Sequence, residues 1–223
     1  MCAILGANSH SLAEILIDVN SNRGTFSSGL TILDRDEQLT IKIEGLIDLE
    51  KIIIPENSKY YICHLQAPTS DIRTWTESTS HPFSSTSWQV FHNGVINNVD
   101  ELISEYGLVD VNSVDTSIIP ALLQYHIENN SELRAHEIIS NALNVLKGTF
   151  ALCIIDTDSN EVYICRQGST LFCNKDSGAF SSIKGEGYTV VPEGDILQLR
   201  QDLKHTKWKK VDSFKTTSPF IFL

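Results

Sequence analysis

The second residue of the chain is a cysteine, and removal of Met1, which small second residues generally permit, would leave a thiol and a free α-amine on one residue. An α-amine has a reference pKa of about 7.7–8.0, so near neutral pH part of it is unprotonated and can take the thiol proton, directly or through a water. Cys2 alone would then supply nucleophile and base, the cysteine counterpart of the N-terminal threonine arrangement. Taken by itself, Met-Cys is more often simply how a chain begins. Asn93-Gly94 is the second candidate. Attack on an amide carbonyl builds a tetrahedral oxyanion, and an Asn side-chain amide beside a Gly N–H offers two donors to it, with Gly permitting close approach. The ordinary reading of Asn-Gly is a turn.

The elements that would position these groups follow from periodicity. Cys2 to Leu5 is a short apolar run, followed by Ser9 and Ser11 as caps and by Leu12, Ile15, Leu16 and Val19 at i, i+3, i+4 and i+7, which predicts a helix over 10–20 with that stripe inward. Alternation at Leu39, Ile41 and Ile43, through Tyr60 to Leu65, and from Trp88 to His92 predicts strands, the last ending in a loop at His92-Asn93-Gly94. Helices are predicted over 115–128, with Pro120 forcing a kink or a late start, and over 132–146. Thr149–Ile155 and Val162–Cys165 read as a hairpin, and more short strands fill 170–200. Strands, then helices, then strands predict an α+β layered body, expected as a single domain over 1–223.

Composition bounds the partners. The 223 residues are 41% hydrophobic and carry 17 Lys and Arg against 28 Asp and Glu, a net charge of −11 that disfavours nucleic acid. The basic stretch from Arg200 to Lys215 reads as a solvated face. No apolar run reaches the 18 or so residues a membrane helix needs, so no membrane partner and a cytoplasmic location are expected. Five cysteines without a Cys-x-x-Cys pair favour reduced thiols. The histidines at 64, 92, 126 and 136 lack ligand spacing, so no metal and no organic cofactor are expected, and His64 and His92 read as packed strand-end residues. Trp75 and Trp88 read as packing residues.

The ordered set of motifs resembles the class II glutamine amidotransferase domain, an N-terminal-nucleophile unit found in glucosamine-6-phosphate synthase, glutamine phosphoribosylpyrophosphate amidotransferase and asparagine synthetase B. Met1-Cys2-Ala3-Ile4 looks like the family start, and Arg23-Gly24-Thr25-Phe26-Ser27-Ser28-Gly29 like its Arg-Gly-x-Asp-Ser-Ser-Gly stretch. His64 to Thr69 stands for its His-x-Arg-x-x-Thr strand, His81-Pro82-Phe83 for its His-Pro element, and His92 to Asn98 for His-Asn-Gly-x-Ile-x-Asn. Val114-Asp115-Thr116 and Lys147 to Ala151 complete the set.

The resemblance implies a four-layer αββα sandwich in which Cys2 attacks the glutamine side-chain amide, releases ammonia and leaves a γ-glutamyl thioester for water. It implies Asn93 and Gly94 as oxyanion donors, Arg23 beside the nucleophile, Asp115 at the α-ammonium, and Thr69 and His81 near the α-carboxylate. The plainer readings are a helix N-cap for Asp115 and a turn residue for His81. Glutamine and an acceptor or synthase subunit in trans are the implied partners. Two positions depart from the pattern: Phe26 replaces Asp, and Gln66 replaces the Arg expected to clamp the carboxylate, a cation that Arg73 is the candidate to supply. Competing readings are an N-terminal-cysteine amidase acting on another amide, and a non-catalytic binding module.

Overall fold

The computed structural model describes residues 2–34, 37–55, 58–67, 74–109, 111–201 and 206–216. They form two compact units. The first takes the chain up to Pro82 with the segments Thr170–Val190 and Leu199–Trp208, and the second takes Phe83–Ser169, Val191–Gln198 and the residues from Lys209 on.

The first unit is built on strands β1 (Ala3–Ala7), β2 (Ser27–Leu33), β3 (Gln38–Glu44) and β4 (Tyr60–Gln66) and, from the second segment, β9 (Phe172–Cys173), β10 (Phe180–Ser181) and β11 (Thr189–Val190). The sheet order is β11-β9-β10-β1-β4-β2-β3 with antiparallel pairing, so the first strand of the chain lies mid-sheet with both edges satisfied. All five residues of β1 are buried.

Helix α1 (His10–Ser21) packs on β1 and β4, and Ser9 caps it by accepting the Leu12 N–H at 3.3 Å. Its buried face is Ala13, Leu16, Ile17 and Asn20, whereas Ile15 and Val19 are 58% and 44% exposed. The apolar stripe predicts a face rotated by one residue. The helix turns Asn20 inward instead because its amide donates to Leu16 O at 2.8 Å and to Ser181 Oγ at 2.9 Å, which satisfies a polar group that apolar patterning places outside.

The second sheet holds β5 (Phe83–Ser84), β6 (Trp88–Ile96), β7 (Gly148–Asp156) and β8 (Glu161–Gln167), all of the second unit, with β12 (Asp195–Gln201) and β13 (Thr206–Ser213), which that unit holds in part, in the order β13-β12-β8-β7-β6-β5. Helices α2 (Val99–Tyr106), α3 (Ile118–Asn129) and α4 (Ala135–Asn144) share its apolar core, with Leu102, Leu122 and Leu143 meeting Phe150 and Trp88. Pro120 lies in the first turn of α3, where a missing N–H costs nothing, and a 3-10 turn (Asp115–Ser117) precedes it. The α2 helix and the β2 strand have no counterpart in the sequence reading.

The loop expected at His92-Asn93-Gly94 is absent. Strand β6 runs through to Ile96, with Asn93 opposite Ala151 and Gly94 opposite Phe150, because the long β7 ladder overrides a two-residue turn signal. Gly94 is required there: a Cβ would lie 1.9 Å from Thr149 O and 2.8 Å from His92 Nε2.

Gly29 in β2 is equally tight, since a Cβ would meet His81 O at 1.9 Å. Gly29→Ala is therefore expected to cost about 1–3 kcal/mol by overpacking. At roughly 2–4 °C per kcal/mol for a chain of this size, thermal unfolding followed by circular dichroism should show a drop of several degrees.

Candidate active site

In the first unit, Cys2 is half-buried at the head of the otherwise buried β1. The remaining four cysteines are buried, and desolvation pushes the Cys63, Cys153, Cys165 and Cys173 thiols above their ordinary range. Cys2 is the one cysteine of the five that is not buried.

Arg23 reaches this residue from the end of α1. Its Nε donates to the Cys2 carbonyl at 3.0 Å, while Nη1 donates to Ser182 O at 3.2 Å and lies 3.4 Å from Thr170 Oγ1. Partial burial pulls the guanidinium pKa down and Coulombic attraction to Cys2 opposes it. A cation is thereby held beside the residue that would become anionic. Ser182, which sequence reasoning missed, bonds Ile4 twice: its N–H donates to Ile4 O at 2.9 Å and its Oγ accepts the Ile4 N–H at 3.0 Å.

The motif segments around Gln66 lie side by side on β2 and β4, with Ser27 opposite Gln66 and Gly29 opposite His64. Gln66 is buried, and its Oε1 accepts the Ser27 hydroxyl at 2.9 Å, with Ser80 Oγ 3.5 Å from Ser27 Oγ. His81 lies in the bend that follows a 3-10 turn and is buried, stacked on His64 with ring centroids 3.7 Å apart and planes 22° apart. His64 itself lies within β4 instead of at its end. Phe26 engages through its backbone, its N–H donating to Gln66 O at 2.9 Å. Thr69 and Arg73 lie outside the described residues.

In the second unit, Asn93 is buried on β6 beside Gly94. His92 Nδ1 lies 2.9 Å from Thr116 Oγ1. Desolvation lowers the His92 pKa, against the Asp115 charge and a hydrogen bond with the Thr149 backbone, so the imidazole stays neutral near pH 7. Asp115 opens the 3-10 turn with Val114 at the cap position. Its Oδ2 accepts the Ile96 N–H of β6 at 2.8 Å, so the carboxylate braces the strand carrying Asn93 and does not cap its own helix. Trp88 is a core residue, and His136 bonds Asp212 at 3.0 Å. Among the described residues no group of three or more His, Cys, Asp or Glu could hold a metal ion, and no helix is long and apolar enough to cross a membrane.

Two antiparallel sheets with helices packed on them define a mixed α/β chain. The solved glutamine phosphoribosylpyrophosphate amidotransferase of B. subtilis matches at a TM-score of 0.66 with 20% identity, over 94% of this chain and 49% of that one, which shows the fold. Residues 71–186 match the glutamine amidotransferase domain family, and the chain belongs to that family of enzymes. The matched span includes His81, Asn93, Gly94 and Asp115, whereas Cys2, Arg23 and Gln66 precede it.

Among curated proteins, 7-cyano-7-deazaguanine synthase 2 of Sulfurisphaera tokodaii is 29% identical over 95% of this chain and 52% of its own length. The 7-cyano-7-deazaguanine synthase of Sulfolobus acidocaldarius is 30% identical over 90% and 50%. Glutamine–fructose-6-phosphate aminotransferase of Staphylococcus aureus is 26% identical over 90% and 33%. The chain thus spans between a third and about half of the curated relatives it matches.

The neutral state of His92 has a sign that can be measured. Its folded pKa is depressed, so the unfolded chain binds the extra proton below about pH 6.5 and the His92 contribution to stability is lost as pH falls through that value. His126, lowered by burial, acts in the same direction. Urea unfolding should give a smaller free energy at pH 5.5 than at pH 7.5, and His92→Gln should remove part of that difference.

Proposed function

We propose that this domain runs the glutaminase half-reaction of a class II glutamine amidotransferase, with Cys2 as the nucleophile. The Cys2 amine takes the thiol proton, the sulfur attacks the side-chain amide carbon of glutamine, and Asn93 and Gly94 donate to the resulting oxyanion. The amine returns the proton to the departing nitrogen as the C–N bond breaks, so ammonia leaves and a γ-glutamyl thioester remains. Water then cleaves the thioester, giving glutamate and the free thiol. The ammonia passes to an acceptor or synthase partner, in trans or elsewhere in a longer chain.

The observation that carries this reading is Cys2 itself: half-exposed among four buried cysteines, heading a strand paired on both edges, with Arg23 on its carbonyl. Asp115 suits the α-ammonium, because Oδ2 is anchored by Ile96 and the half-buried carboxylate keeps its second oxygen. Thr69 and His81 are assigned to the α-carboxylate side, and Arg73 to the cation that Gln66 cannot provide.

A second reading has its own support. Gln66 is buried against Ser27, a neutral amide where the resembled family carries a guanidinium, which favours an amide substrate without that carboxylate.

The test begins with an intact mass to verify loss of Met1, followed by glutamate release from glutamine and cleavage of a panel of N-acyl amides. Cys2→Ala is expected to abolish release, and Asn93→Ala to lower kcat by about 10²–10³. Arg73→Ala is expected to raise the KM for glutamine by roughly 10- to 150-fold, the range of a lost charged hydrogen bond. Unchanged release in Cys2→Ala would remove the nucleophile, and cleavage of N-acyl amides without any glutamate would select the second reading.

A further inference from the structure

The backbone ladder next to the nucleophile carries an exchange that no regular strand pair makes. The register Leu5 opposite Ser181 puts Ile4 opposite Ser182, and in an ordinary antiparallel pair such residues trade both N–H···O=C bonds. One of the two is present, from Ser182 N–H to Ile4 O at 2.9 Å. In the other the Ile4 N–H goes to the Ser182 hydroxyl at 3.0 Å instead of to the Ser182 carbonyl. That carbonyl is thereby released to accept from Arg23 Nη1 at 3.2 Å and from Thr170 Oγ1 at 3.2 Å. The same guanidinium donates through Nε to the carbonyl of Cys2 at 3.0 Å.

We infer that Ser182 is a positioning residue for the nucleophile: its hydroxyl takes over a ladder bond so that its carbonyl can anchor Arg23, which in turn fixes the main chain of Cys2. This rests on Cys2 being the nucleophile. Ser182 is 1% exposed, so an alanine there leaves two outcomes. Either the Ile4 N–H is buried without an acceptor, or the Ser182 carbonyl swings back into the ladder and releases Arg23. Each loosens the residue that must meet a carbonyl carbon, and a displacement of about 1 Å at a reacting group can cost on the order of 10²-fold in rate. Threonine retains the hydroxyl and preserves the exchange.

The experiment uses the full chain and two readouts, glutaminase kinetics and the rate of covalent labelling of Cys2 by 6-diazo-5-oxo-norleucine followed by mass spectrometry. Ser182→Ala is expected to lower both kcat and the labelling rate by roughly 10- to 100-fold with the KM for glutamine within about twofold. Ser182→Thr is expected to restore most of the loss. A double-mutant cycle supplies the readout that a purely structural role would not move: if Ser182 acts through Arg23, adding Ser182→Ala to Arg23→Ala costs little beyond Arg23→Ala alone.

Equal labelling of wild type and Ser182→Ala, or additive losses in the cycle, overturns the inference. Should Ser182→Ala fail to fold, Thr170→Val, at an exposed position sharing the Ser182 carbonyl, carries the same cycle with a smaller expected loss. Absence of labelling in wild type that has lost Met1 instead refutes the nucleophile assignment on which the inference stands.

Discussion

A single planar cation joins three stretches of backbone in the first unit. Arg23 leaves the end of α1 and spends its donors on the carbonyls of Cys2 and Ser182, with Thr170 Oγ1 alongside. Partial burial of a guanidinium is unfavourable unless its N–H groups are satisfied, and hydrogen bonds involving a charged group contribute about 1.5–3 kcal/mol each. A lysine, with a point charge on a flexible stem, could not hold two diverging carbonyls in one plane. The start of β1, the end of α1 and the 170–182 segment are thus fixed relative to one another by side-chain chemistry as well as by the sheet. Asn20, bonded to Ser181, is the second tie between α1 and that segment.

The motif glycines and serines on β2 have packing reasons that are independent of any reaction. Gly29 lets the His81 carbonyl approach, His81 stacks on His64, and His64 is the register partner of Gly29, so three motif residues from three segments form one contact. Ser28 works outward from the same strand: its hydroxyl donates to Gly45 O at 2.8 Å and accepts the Ile47 N–H at 3.0 Å, securing the turn that follows β3. Residues that read as a catalytic signature are in good part the joinery of the sheet that presents Cys2.

Local pattern made the strands β3, β4, β7 and β8 and the helix α1 legible: the half-buried β3 alternates, the buried β4, β7 and β8 are β-branched and apolar runs between turn signals, and α1 follows a serine that caps it. It misread the inward face of α1, since Asn20 is buried for a hydrogen bond to a serine far along the chain, and no local pattern encodes that partner. It ended β6 too early, since Asn-Gly is a local signal while the strand is held by nine register pairs with β7. Residue chemistry drew attention to Cys2 and Asn93, and motif order to Arg23 and Asp115; hydrophobic pattern pointed to none of them. Ser182 stayed hidden because its role is a choice between two acceptors, hydroxyl or carbonyl, that only the register of β10 against β1 reveals.

Within each unit, taken by itself, several buried polar groups are neutral. His92 is kept uncharged by burial, Gln66 and Ser27 bond each other, and Asn20 and Ser182 bond backbone and hydroxyl groups. A neutral group costs little to bury when its donors meet acceptors, whereas a buried cation at position 66 would need a permanent anion to face it. The guanidinium of Arg23, a half-buried cation at the α1 end of the first unit, is bonded to the neutral carbonyls of Cys2 and Ser182 and remains partly open to solvent, and both lower the cost of burying it.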